Sequence, residues 1–150
     1  MNYRQTLDDL RELLREESDP IARMATIVAL LKERHAKISW VGYYRRLSGE
    51  MLVLGPFQGP AACLRIAVGR GVCGTAAARR EPLVVPDVNA FPGHIACDPR
   101  ARSELVLPVD EGGELQAILD LDSYEPAAFD ATDVEGLEPI ARLTFPARRA

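Results

Sequence analysis

Apolar residues recur at helical spacing towards both ends of the chain and at strand spacing between them. Leu7, Leu10 and Leu14 lie three and four apart with Arg and Glu between them, which predicts a first helix. Ser18, Asp19 and Pro20 restart the chain: Asp19 suits a helix cap and Pro20 the first helical position. Ile21, Met24, Ile27, Val28 and Leu31 form the stripe of a second helix, expected to end near Ala36. Residues 38–44 are aromatic and β-branched, and Ser48, Gly49 and Glu50 turn the chain into a return strand at 51–57. A short third strand is expected at 63–67. The glycine-bearing segment 69–75 opens a short helix at 76–79, and a brief strand follows at 83–85. Two more strands, 103–109 and 114–122, are joined by Asp110, Glu111, Gly112 and Gly113. A last helix begins at Asp130 with a second acid, Asp133, three residues on. Val134, Leu137 and Ala141 are expected to face the core, and Pro139 to kink or shorten that helix. Strands joined as hairpins, with helices grouped at the two ends, predict an α+β fold: an antiparallel sheet with the terminal helices on one face.

The chain has 150 residues and shows no repeat, low-complexity tract or linker, so one domain over 1–150 is expected. Its 47% hydrophobic and 27% charged residues are ordinary for a globular protein. The net charge is −4 and the arginines are scattered among acids, which argues against a nucleic-acid partner. No apolar run reaches the roughly 18 residues of a membrane-spanning helix. The first residues lack an apolar segment of the secretory type, so the cytosol is the expected compartment. The three cysteines, Cys63, Cys73 and Cys97, are odd in number and are expected to rest as thiols in a reducing compartment.

Candidate chemistry concentrates in the sixteen residues 87–102, which show no regular pattern. Their Phe91, Pro92, His94, Cys97 and Pro99 are not a disordered composition and suit an ordered loop over a pocket. Cys97 stands among His94, Arg100 and Arg102, cations that lower a thiol pKa if they are close in space; a packed loop cysteine is the plainer alternative. Cys73 follows a glycine turn at a helix start, which also favours the thiolate. That segment lacks the phosphate-binding glycine patterns, so nucleotide binding is not expected. Asp120 and Asp122 are two apart on a strand and therefore share a face. Two carboxylates there repel unless an amino group, a metal or an arginine lies between them, or unless they form a frayed strand end in water. A half-buried Glu104 would hold its proton near neutral pH and serve as an acid. Trp40 and Tyr44 share a strand face, as core or as a pocket wall. Cys63, Cys73, Cys97 and His94 supply a Cys3His set, but no Cys-x2-4-Cys pair of the kind structural zinc uses is present, and no metal is expected.

Several blocks resemble the free methionine-(R)-sulfoxide reductases, enzymes built on a GAF domain. They are Trp40-Val41-Gly42-Tyr43-Tyr44, Leu54 to Gly59, Cys63 with Arg65-Ile66, and Gly69 to Thr75. Phe91 to Asp98, Ser103 to Pro108 and Leu119 to Ser123 follow in the same order, so that the likeness covers roughly residues 38 to 138. The Gly-His-Ile-Ala-Cys-Asp block together with three cysteines is the specific part; a ligand-sensing GAF domain, the alternative reading, is not expected to carry it. The resemblance implies that Cys97 is the catalytic cysteine and Cys63 the main resolving cysteine, with Cys73 as a third. It implies that Glu104, Asp120 and Asp122 bind substrate and that Trp40 and Tyr44 wall the pocket. The implied reaction reduces free L-methionine (R)-sulfoxide through a sulfenic acid and an intramolecular disulfide, reopened by a thioredoxin-like donor. No metal or organic cofactor is implied, and a homodimer is admitted. The chain departs from the family at Ala117, where glycine is usual, at Pro139 and in its terminal helices.

Overall fold

A computed structural model describes residues 2–147. The chain opens with two helices, α1 (Tyr3–Leu13) and α2 (Pro20–Arg34). Asn2 caps the first by accepting from the Gln5 amide at 2.9 Å. Asp19 caps the second by accepting from the Ile21 amide at 2.8 Å, with Pro20 at its start as expected. The hairpin β1 (Trp40–Ser48) and β2 (Met51–Gln58) and the short β3 (Arg65–Ala67) form the first half of the sheet. After α3 (Gly71–Arg79), the strands β4 (Leu83–Val85), β5 (Ser103–Glu111) and β6 (Glu114–Ser123) form the second half, and α4 (Ala131–Ala141) ends the described elements.

The six strands lie in the order β3-β2-β1-β6-β5-β4, every neighbour antiparallel. Each half of the chain thus builds a three-stranded meander, and the two meanders join where β1 pairs with β6. Strand alternation gives the sheet two apolar faces. Tyr43, Leu107, Leu119 and Leu121 lie under α1, α2 and α4 with Leu10, Ile27, Leu31, Leu137 and Ile140. Tyr44, Leu52, Val106 and Ile118 face the other way, towards Val72 and Ala76 of α3. The terminal helices therefore cover one face, as expected, and the site lies on the other.

Asp133 ties the ends together. It accepts from the Tyr3 hydroxyl and from the Lys37 ammonium, each at 2.6 Å, and closes the capping box with Asp130. Pro139 lies in the last turn of α4, which stops at Ala141; the missing N–H accords with the expected shortening. Some boundaries differ from the pattern. The helix predicted over 76–79 begins at Gly71; the low helix propensity of Gly71 and Gly74 hides this start in the sequence, and tertiary contact sets it. A Cβ at Gly74 would come within 2.4 Å of the Ala67 carbonyl oxygen, so glycine alone permits this approach to β3. The first strand runs on past Tyr44 to Ser48 by pairing with β2, and the strand predicted over 63–67 forms only from Arg65. The segment 87–102 holds one 3-10 turn, Val88–Ala90.

Candidate functional site

One pocket brings together most of the residues singled out in the sequence, while Cys63 reaches its edge only through its bond to Cys97. It is lined by Trp40, Tyr44, Cys73, Cys97, Glu104, Asp120 and Asp122, and encloses about 540 Å³ including open solvent at its mouth. Its floor is set by strand register: Asp122 lies opposite Trp40 on one side and Glu104 on the other, and Asp120 lies opposite Gly42 and Val106. Trp40 and Tyr44 are both buried and stacked, ring centroids 6.2 Å apart. Gly42 between them makes this possible, since a Cβ there would meet Trp40 Cη2 at 2.4 Å. The aromatics also hold the segment that carries Cys63: the indole Nε1 donates to the Pro60 carbonyl and the Tyr44 hydroxyl to the Cys63 carbonyl, each at 2.9 Å.

The acidic floor is buried and not a frayed strand end. Glu104 and Asp120 are 6% and 5% exposed, and among the described residues none of the three carboxylates has an ion-pair partner. Asp120 Oδ1 is buried with no hydrogen-bond partner. Burial pushes the Glu104 carboxyl well above its usual range, and the neighbouring Asp120 and Asp122 push it further. Burial likewise raises Asp122, with Asp120 adding to it, and raises Asp120 itself. Three carboxyls on one shared surface disfavour one another's ionisation, and a cation entering between them would relieve that.

Cys63 and Cys97 are joined in a disulfide, Cα atoms 5.3 Å apart, while Cys73 is free and buried. The structure is thus the oxidised form, not the three resting thiols expected. The bond also removes two of the four ligands of the Cys3His reading. Cys73 reverses an expectation: burial, with Asp120 and Glu104 beside it, pushes its thiol well up and outweighs the helix start. Its S–H instead donates to Glu104 Oε2 at 3.5 Å. Sγ of Cys73 and carboxylate oxygens of Glu104 and Asp120 lie within 4.8 Å of one another, a grouping able to hold a cation.

The loop carrying Cys97 is ordered by its own backbone. Val88 donates to Arg102, Arg102 to Ser123, and His94 to Phe91. The cationic setting expected for Cys97 is not formed as drawn. Arg100 Nε reaches Asp98 at 3.1 Å and its guanidinium lies over the Tyr124 ring, and neither Arg100 nor Arg102 lines the pocket. His94 does line it, but burial lowers its pKa, which favours the neutral ring. Its Nδ1 is buried without a partner. Arg70, just ahead of α3, lines the pocket and was missed in the sequence, where the glycines around it drew attention to phosphate patterns instead.

An antiparallel six-stranded sheet with helices on one face and a loop-roofed polar pocket on the other is the architecture of a GAF domain, and a family model described as GAF domain matches residues 4–144. The Escherichia coli free methionine-R-sulfoxide reductase is 46% identical over 132 residues, 88% of this chain and 79% of that protein. The free methionine-R-sulfoxide reductase of Neisseria meningitidis, solved in complex with its substrate, matches with a TM-score of 0.90 and 43% identity, covering 95% of this chain and 85% of that one. A reduced form of the Staphylococcus aureus protein matches with a TM-score of 0.91 and 40% identity over 95% and 92% of the two chains. The chain belongs to the GAF-domain family and, within it, to the free methionine-R-sulfoxide reductases.

Proposed function

We propose that this chain reduces free L-methionine (R)-sulfoxide to methionine, with Cys97 as nucleophile and Cys63 as resolving thiol. The observation that carries the reading is the Cys63–Cys97 disulfide at a pocket floored by three carboxyls of raised pKa. In the reduced enzyme the Cys97 thiolate attacks the sulfoxide sulfur while protonated Glu104 delivers a proton to the oxygen. The oxygen ends on Cys97 as a sulfenic acid and methionine departs as the thioether. The Cys63 thiol then attacks Cys97, releases water and leaves the disulfide. Cys73 remains a thiol and steadies Glu104 through its hydrogen bond. A thioredoxin-like dithiol reopens the bond, and the reaction draws on thiols without a metal or organic cofactor.

Asp120 and Asp122 receive the substrate ammonium, which relieves the repulsion between them. Arg70 is the arginine lining the pocket, and it faces the substrate carboxylate. Trp40 and Tyr44 wall the methylthio end. No helix among the described residues is long and apolar enough to cross a membrane; we assign the enzyme to the cytosol.

This arrangement selects free amino acid over peptide, because an acylated nitrogen carries no charge. With dithiothreitol as reductant, methionine should form from the free (R)-sulfoxide. An N-acetylated, amidated methionine sulfoxide should react with a kcat/KM at least about 10- to 150-fold lower, the worth of roughly one charge-assisted hydrogen bond. Comparable rates for the two compounds would remove the ammonium site, and no methionine from the free (R)-sulfoxide would overturn the function.

A further inference from the structure

Each turnover leaves a disulfide that must be opened by sulfur from outside, and exposed apolar side chains lie close in sequence to both of its cysteines. Leu64, the residue after Cys63, is the most exposed large hydrophobic side chain among the described residues, at 72%. Ile95, two residues before Cys97, is 41% exposed. Tyr124 is 40% exposed and donates its hydroxyl at 3.0 Å to Asp98, the residue after Cys97. The disulfide draws the Cα atoms of Cys63 and Cys97 to 5.3 Å, so the segments that carry these residues meet there, with Ile95 also at the edge of the pocket. Exposed Ala61 and Ala96 add no charge, while Arg65 beside Leu64 and the Arg100 guanidinium over the Tyr124 ring give the patch a cationic rim.

Nothing in the local fold requires a leucine at 64. The segment is held by its main chain, the Leu64 carbonyl accepting from the Leu54 amide at 2.9 Å, and a bend turns the side chain outward. Leu64 is thus an exposed apolar side chain next to a redox bond, where a partner that opens the bond would touch it. A small thiol needs no such patch. A protein thiol does, because its sulfur must be brought in line with the bond it attacks.

We infer that Leu64, Ile95 and Tyr124 form the docking patch for a protein dithiol reductase of the thioredoxin type, an inference that rests on the Cys63–Cys97 bond being the catalytic disulfide. The partner's thiolate attacks one sulfur of that bond, forming a mixed disulfide and releasing the other cysteine as thiolate. The partner's second thiol then attacks the mixed disulfide and releases the second cysteine. Two electrons pass to this chain, the two thiol protons of the partner end on Cys63 and Cys97, and the partner leaves oxidised.

The test compares two reductants on the full chain, wild type and Leu64→Glu, with Leu64→Ser as the milder change. With thioredoxin, thioredoxin reductase and NADPH, Leu64→Glu should raise the KM for thioredoxin at least about tenfold, and Leu64→Ser less, as for loss of a central apolar contact. With dithiothreitol, both variants should keep kcat within about twofold of wild type. Unchanged thioredoxin kinetics would overturn the docking patch. An equal loss with both reductants would also overturn it, since Leu64 would then serve the fold or the pocket. Wild-type turnover with dithiothreitol but none with thioredoxin would overturn the partner and leave the reaction standing; no turnover with either would overturn the reaction itself.

Discussion

Cys97→Ser should yield a folded protein whose turnover of methionine sulfoxide falls at least about a thousandfold, below detection in a coupled assay. A serine hydroxyl at neutral pH is a far weaker nucleophile than a thiolate, and its neighbours offer little to activate it: Arg100 is held by Asp98, and burial lowers the His94 pKa. The loop should survive the change, because its order comes from main-chain hydrogen bonds around Val88, His94 and Arg102. Stability must be compared with reduced wild type. The oxidised protein gains about 3–4 kcal/mol from closing a loop of 34 residues, which no serine variant can have. Thermal melting near that of reduced wild type, with activity lost, supports the assignment. More than a few per cent of wild-type activity contradicts it.

Glu104→Gln should lower kcat by about 10²- to 10⁴-fold while changing KM much less, because its proton is needed as negative charge builds on the sulfoxide oxygen. The raised pKa gives this prediction a sign in pH. Glu104 works as an acid only below its raised folded-state value, so wild-type kcat should fall as pH climbs through that value, and the variant should lack this alkaline limb. Stability runs the same way. Between the ordinary carboxylate range and the raised value only the folded chain holds the proton, so folding stability falls as pH rises across that window. Glutamine cannot ionise, and the variant should melt no lower than reduced wild type at neutral pH. A slow but equally stable enzyme fits an acid installed at a cost to stability. Rates within about twofold of wild type would fit a structural carboxyl and contradict the role.

Much of the fold was legible because its signals are local. The stripe from Ile21 to Leu31, the Asp19 cap and the two hairpins each depend on residues close in sequence, and each was found. The start of α3 was not, since Gly74 answers to the Ala67 carbonyl rather than to helix propensity. The shared face of Asp120 and Asp122 followed from period two, but the opposition of Glu104 to Asp122 is a matter of register across strands. The same limit explains Cys73. Its helix start is visible in the sequence, whereas the burial that reverses its titration, and the carboxyls that add to it from β5 and β6, are set by the tertiary fold. Arg100 failed as a partner for Cys97 because a nearer anion, Asp98, claims it. Arg70 carried no pattern that distinguishes a pocket cation from a solvated one.

A single turnover tests the central claim most directly. Fully reduced enzyme, freed of reductant and mixed with excess free L-methionine (R)-sulfoxide, should release one methionine per chain. Mass spectrometry of the same sample should show Cys63 bonded to Cys97 in equal amount, with Cys73 still a thiol. No methionine, or methionine formed while Cys63 and Cys97 stay reduced, would contradict the account.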